Sequence, residues 1–207
     1  MALSTNGLFA LASLPPQKHM ERDRVLTLAF LRPAPDEEDR VNRLTARLSP
    51  HGFHHVELVF DGCMAFSIYH ASAAGFRQRT LSNPHYELVP LSVSAAEYRA
   101  CAQFCANAAQ KGLGFDSVGM YCAALHPGCA CWPERTSEQA GATFCSKIVA
   151  EALQFGGVRE AEGLAPSGTT PSSLYAAVRD SDRRLCDSVR VQRPGGLSFA
   201  LQPLQAR

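Results

Sequence analysis

A chain of 207 residues with 46% hydrophobic and 19% charged residues has the composition of a folded globular domain and is long enough to bury one core. A formal net charge of +1, with no basic run longer than Arg183-Arg184, argues against nucleic acid or anionic membrane as an electrostatic partner. No stretch approaches the roughly 20 apolar residues of a membrane-spanning helix, and eight cysteines in a chain with conventional core segments point to a reducing, cytoplasmic compartment rather than a disulfide scaffold.

The opening MALSTNGLFALASLPP holds a short apolar run without the basic start of a secretory signal, so residues 1–22 are expected to be a mobile tail. VLTLAFL, residues 25–31, is apolar, partly β-branched and stopped by Arg32-Pro33, which predicts a buried strand. In PAPDEEDRVNRLTARLSPHG, acids crowd a first turn, Val41, Leu44 and Leu48 share one helical face, and Pro50 and Gly52 end the pattern. A short amphipathic helix is expected there. HHVELVFDGCMAFSIYH sets Asp61-Gly62 between two runs of β-formers, the dipeptide of a type I′ hairpin turn, whose central residues both need positive φ. YELVPLSV is a further strand ending at residue 93; Pro90 has no N–H for a ladder, so the strand belongs at a sheet edge or carries a bulge.

Ser94 and Glu97 have capping-box spacing ahead of a helix that runs to Lys111 and Gly112. Residues 113–142, rich in Gly, Pro and Cys without clear periodicity, read as a long ordered connection with short elements. TFCSKIVAEALQFGG places Ile148, Val149, Ala152 and Phe155 at helical spacing and closes on Gly156-Gly157. Thr170-Pro171 starts another helix, and RPGGLSFALQPLQAR offers only a weak strand. The expected organisation is one domain over residues 23–190 with a C-terminal tail, 191–207, and no internal repeat.

Cys145 falls in the first turn of its helix, where unpaired backbone N–H groups and the positive dipole end favour a thiolate. The plain alternative is a small residue buried under the helix. Strand alternation puts His55, Glu57 and Val59 on one face and His54, Val56, Leu58 and Phe60 on the other; the second set looks like core, and His55 can then meet a helix packed on the first. Cys101 and Cys105 lie in alanine-rich helical sequence and read as small buried hydrophobes. CAALHPGCAC offers Cys122, His126, Cys129 and Cys131 as zinc ligands, but the spacing fits no standard finger, and Cys129 and Cys131 are too close together to face one metal easily. Packing or a disulfide within the loop is the expected role, with no metal. Trp132, near Tyr121, either lines a substrate cleft or pins the loop.

HHVELVFDG, a following strand with FSIY, then GF and YELVPL, and far downstream TFCSKIVAEALQFGG and TTPSSLY, resemble the permuted NlpC-like thiol hydrolases. This papain-like group includes lecithin:retinol acyltransferase relatives and bacterial and large-DNA-virus proteins. The resemblance covers roughly residues 50–178. It implies an α+β fold of circularly permuted papain-like order, an antiparallel sheet with the histidine strand first and the cysteine at the N-terminus of a packed helix. It matches Cys145 to the nucleophile and His55 to the base, with His54 only a neighbour. For the third, orienting group Glu57 ranks first because it shares the face of His55, although contact between residues two apart on a strand is stretched and Glu57 can instead serve a neighbouring group. Ser67 and His70 are the alternatives; relatives often carry His or Glu on that strand, so Ser67 is a departure.

The implied activity is that of a cysteine hydrolase, peptidase or amidase in kind, acting on an amide, ester or thioester through an acyl-enzyme and needing no cofactor. Its partner is then a peptide, amide or acyl-lipid substrate. Acyl-lipid hydrolysis or acyl transfer is the nearest variant. A non-catalytic binding or structural protein, for instance virion-associated, is the alternative from a different class.

Overall fold

Strand β1 (Arg24–Leu31) is the hub of a five-stranded antiparallel sheet, paired on one side with β2 (His55–Phe60) and on the other with β5 (Tyr86–Val93). This computed structural model describes residues 23–36, 39–126 and 134–183. β3 (Met64–Ser67) and β4 (Gly75–Gln78) complete the order β4-β3-β2-β1-β5. The β2–β3 connection is the turn that Asp61-Gly62 predicts: both residues have positive φ, 49° and 77°, and Cys63 N–H donates to the Phe60 carbonyl at 3.3 Å. Pro90 sits on β5 at the sheet edge, in regular register opposite Thr27, so no bulge is needed.

One face of the sheet carries the main core. Leu26, Leu28, Phe30, Val56, Leu58, Phe66 and Leu91 are fully buried there against Cys101 and Cys105 of α2 (Ala95–Lys111) and Ile148, Val149 and Leu153 of α5 (Cys145–Phe155). Ala29, Val59 and Ala65 form a thinner cluster on the other face with Leu81, Tyr86 and Leu88, which no helical residue joins among the described residues. The fold is therefore α+β, with α2 and α5 packed on one face of an antiparallel sheet. Helix α2 begins with the expected capping box, Glu97 N–H to Ser94 Oγ and Ser94 N–H to the Glu97 carboxylate, and ends on Gly112 in the left-handed region.

Three elements depart from the expected ones. Helix α1 (Arg40–Leu48), capped by Asp39, forms as its spacing predicts, but it starts after the acids, so its first turn holds none, and Leu44 and Leu48 are each 48% exposed while Ala46 is its only buried residue. Periodicity identifies an apolar face but not whether anything covers it. The region 113–142 contains a nine-residue helix, α3 (Ser117–Leu125), the one-turn α4 (Ser137–Ala140) and a two-residue parallel pair, β6 (Gly114–Phe115) with β7 (Ala142–Thr143). In α3 the Asp116 carboxylate caps Gly119 N–H at 2.8 Å, and a Cβ at Gly119 would lie 2.3 Å from that carboxylate, so here glycine starts a helix. β4 is a short, half-exposed edge strand too weakly patterned to predict. Helix α6 (Pro171–Arg179) begins at the expected Thr170-Pro171. The two tails and the weak C-terminal strand lie outside the described residues. No helix among the described residues is long and apolar enough to cross a membrane.

Candidate active site

Helix α5 is buried along its first nine residues, Lys147 and Glu151 included. Three buried side chains anchor the helix: Ser146 Oγ donates to the Thr169 carbonyl at 2.7 Å, Lys147 Nζ to the Arg135 carbonyl at 2.7 Å, and Ser137 N–H to Glu151 Oε1 at 2.8 Å. Its N-cap, Phe144, is extended and apolar and makes no side-chain cap, so the first-turn N–H groups stay directed at whatever occupies the helix start. That occupant is the Cys145 thiol, 4% exposed, whose thiolate is favoured by the backbone N–H groups of Val56 on β2 and of Ser146.

The structure brings the Cys145 sulfur and the His55 imidazole together, close enough to shift each other's titration. The route differs from the expected one, because α5 packs on the Val56–Leu58 face of β2 rather than on the Glu57–Val59 face. His55 opens β2 in register opposite Leu31, and its imidazole contacts both the sulfur and Glu57. Burial opposes charge on the thiol, but the imidazolium, its hydrogen bond and the two N–H groups outweigh this and lower the Cys145 pKa. Burial likewise opposes charge on His55, and the Cys145 thiolate, followed by Glu57, raises its pKa to about 9. Each group therefore favours the charged form of the other, and the pair titrates as one coupled unit. Cys101 and Cys105 have the opposite character: burial without a cationic partner pushes Cys101 up to about 12 and Cys105 well above its usual value.

Glu57 is 1% exposed and lies 3.7 Å from His55 Nε2, within ion-pair range but beyond a hydrogen bond. Its oxygens are taken by other donors: Tyr69 Oη and Arg79 Nε (3.0 Å) give to Oε1, and Tyr86 Oη (3.2 Å) gives to Oε2. Burial would raise its pKa, but His55, Tyr69 and Arg79 hold it down to about 2. The Tyr69 ring lies against the imidazole, with centroids 4.2 Å apart and planes at 37°. Tyr69, Arg79 and Tyr86 were not among the sequence candidates. Tyr69 stands in the FSIY run, but only the pairing of β3 with β2 returns its hydroxyl to Glu57.

The other candidates lie elsewhere. Ser67 is buried and donates to the Val56 carbonyl at 2.7 Å. His70 is exposed and meets the Phe115 ring edge-on at 5.4 Å. Cys122 carries a free thiol on α3 and His126 is its C-cap, while Cys129, Cys131 and Trp132 lie outside the described residues. Tyr121 is 38% exposed and does not line the cleft described next.

A cleft of about 190 Å³ opens onto Cys145. Leu48, Phe53, Met120, Ala124, Phe144 and Pro171 supply most of its apolar wall, and no Asp, Glu, Lys or Arg among the described residues lines it. His51 and His54 also line it.

The chain matches no protein-family model, no curated protein and no solved structure.

Proposed function

We propose that this protein is a thiol hydrolase of permuted papain-like architecture, in which Cys145 is the nucleophile and His55 the general acid and base. The observation that carries the proposal is the contact between a thiol at a helix start and a buried histidine ninety residues earlier in the chain, each pushed toward its charged form by the other. A purely structural cysteine behaves as Cys101 does, buried and held neutral. The chain order supports the permuted assignment, since the histidine strand precedes the cysteine helix.

The Cys145 thiolate attacks the carbonyl carbon, the C=O electron pair moves onto oxygen, and the backbone N–H groups at the start of α5 stabilise that oxyanion. Collapse breaks the bond to the amine, alcohol or thiol, which leaves with the His55 proton, and an acyl-Cys145 thioester remains. His55, now neutral, takes a proton from water, and the hydroxide displaces the thiolate and releases the acid. An acceptor hydroxyl or amine in place of water gives acyl transfer.

The largely apolar cleft beside the sulfur suits a neutral aliphatic acyl group or an apolar side chain of a peptide better than a charged one. The free thiols of Cys63, Cys101, Cys105, Cys122 and Cys145 support a reducing compartment.

The test is alkylation of the native protein with iodoacetamide near pH 6.5, about two pH units below an ordinary thiol pKa, with mass-spectrometric mapping of the label. Cys145 should be modified first, and His55→Ala should abolish that preference. Uniformly slow labelling of all thiols would instead leave a binding role. p-Nitrophenyl esters of increasing acyl length, assayed against peptide amides, then separate the two substrate classes.

A further inference from the structure

On the reading that Cys145 and His55 react as a pair, we propose that Tyr69 is the positioning residue of the site: its ring holds the imidazole plane that faces Cys145, and Glu57 contributes charge without a hydrogen bond. A conventional orienting carboxylate accepts directly from the imidazole. Glu57 does not, because its Oε1 stands 3.7 Å from Nε2 and is already occupied by Tyr69 and Arg79, and Nε2 makes no hydrogen bond. The remaining large surface against the imidazole is the phenol ring at 4.2 Å.

That ring is itself fixed. Its hydroxyl is bound to Glu57, and the guanidinium groups of Arg77 and Arg79 lie 4.5 and 4.8 Å from its centroid. Its backbone is locked by Ser72, whose Oγ accepts from Tyr69 N–H at 3.1 Å and donates to Tyr69 C=O at 2.9 Å. A π face against an imidazolium also stabilises the charged ring. The groups facing His55 are then Cys145 from α5, Glu57 on its own strand, Tyr69 after β3 and His54 at 6.4 Å between ring centroids, with Arg79 just after β4 and Tyr86 of β5 acting through Glu57.

Removing the ring should favour neutral imidazole, leave the thiol with less stabilisation and shift alkylation of Cys145 to higher pH. The full-length chain is compared with Tyr69→Phe, which keeps the ring, and Tyr69→Leu, which does not. Iodoacetamide labelling of Cys145 is followed from pH 5 to 9, alongside NMR titration of the His55 ring. A desolvated cation–π contact corresponds to about a tenfold loss of labelling rate at neutral pH in Tyr69→Leu, with Tyr69→Phe within about twofold of the parent. Equal loss in both variants would assign the role to the hydroxyl, and no loss in either would remove Tyr69 from the site; both outcomes overturn the proposal. If Tyr69→Leu fails to fold, the parent and Tyr69→Phe decide: ring stacking displaces the His55 Cε1–H resonance upfield in both, and an ordinary position refutes the stacking. That NMR readout does not depend on alkylation, so a parent chain whose Cys145 labels no faster than its other thiols would sink the hydrolase reading separately.

Discussion

Glu57→Gln is the most informative single substitution in this protein, because it removes a charge from the site and leaves the shape almost unchanged. Two unit charges 3.7 Å apart interact by about 4 kcal/mol at an effective dielectric of about 20. Arg79, 3.0 Å from the same carboxylate oxygen, cancels much of that field at His55, which leaves about 1–2 kcal/mol favouring the imidazolium. Since about 1.4 kcal/mol corresponds to one pH unit, Glu57→Gln should move the pH profile of Cys145 alkylation upward by about one unit and slow labelling about tenfold near pH 7. The amide can still accept from one tyrosine and donate to the other. Arg79, with a side chain 28% exposed, retains water as a partner, so the stability cost should stay near 1–2 kcal/mol and the fold should survive. A profile that coincides with the parent's would refute the idea that the carboxylate acts on the pair through its charge.

The same carboxylate gives the acid limb of stability a defined sign. Its pKa falls from 4.5 to about 2 on folding, so its contribution is complete above pH 4.5 and is lost as the pH drops toward 2, roughly 3 kcal/mol in all. Urea unfolding at pH 6 and pH 3 should show about 2 kcal/mol of that loss in the parent and a smaller one in Glu57→Gln; equal losses would count against it. Gly156→Ala tests the packing behind the site: a Cβ there would lie 2.3 Å from Cys101 Sγ and 3.2 Å from the Glu97 carbonyl oxygen. Overpacking of this kind should cost about 1–3 kcal/mol by thermal melting, with partial recovery in the Cys101→Ala background, and an unchanged melt would show that α2 shifts freely against α5.

Much of the architecture could be read locally. The Asp61-Gly62 turn, the Ser94–Glu97 capping box with Gly112, and the Thr170-Pro171 start each encode a backbone conformation within four residues. The α+β class follows from strands and helices with clear periods. Helix α3 was not legible, because a cap by Asp116 and a glycine in the first turn carry no hydrophobic period. The exposure of Leu44 and Leu48 was also hidden, since a pattern on α1 does not reveal whether its partner arrives.

For the site, the chain by itself determined the local chemistry: a thiol at a helix start, a histidine at a strand start and a carboxylate two residues further on. Tertiary structure alone decided that α5 lies on the Val56 face, that His55 contacts both the sulfur and Glu57, and that Glu57 is spent on Tyr69, Tyr86 and Arg79. The reason is range. Caps and turns are set by hydrogen bonds across a few residues, whereas charges held apart from water take their value from whichever groups packing brings within a few ångströms, and those groups come from two strands, the segments that follow two others, and a helix.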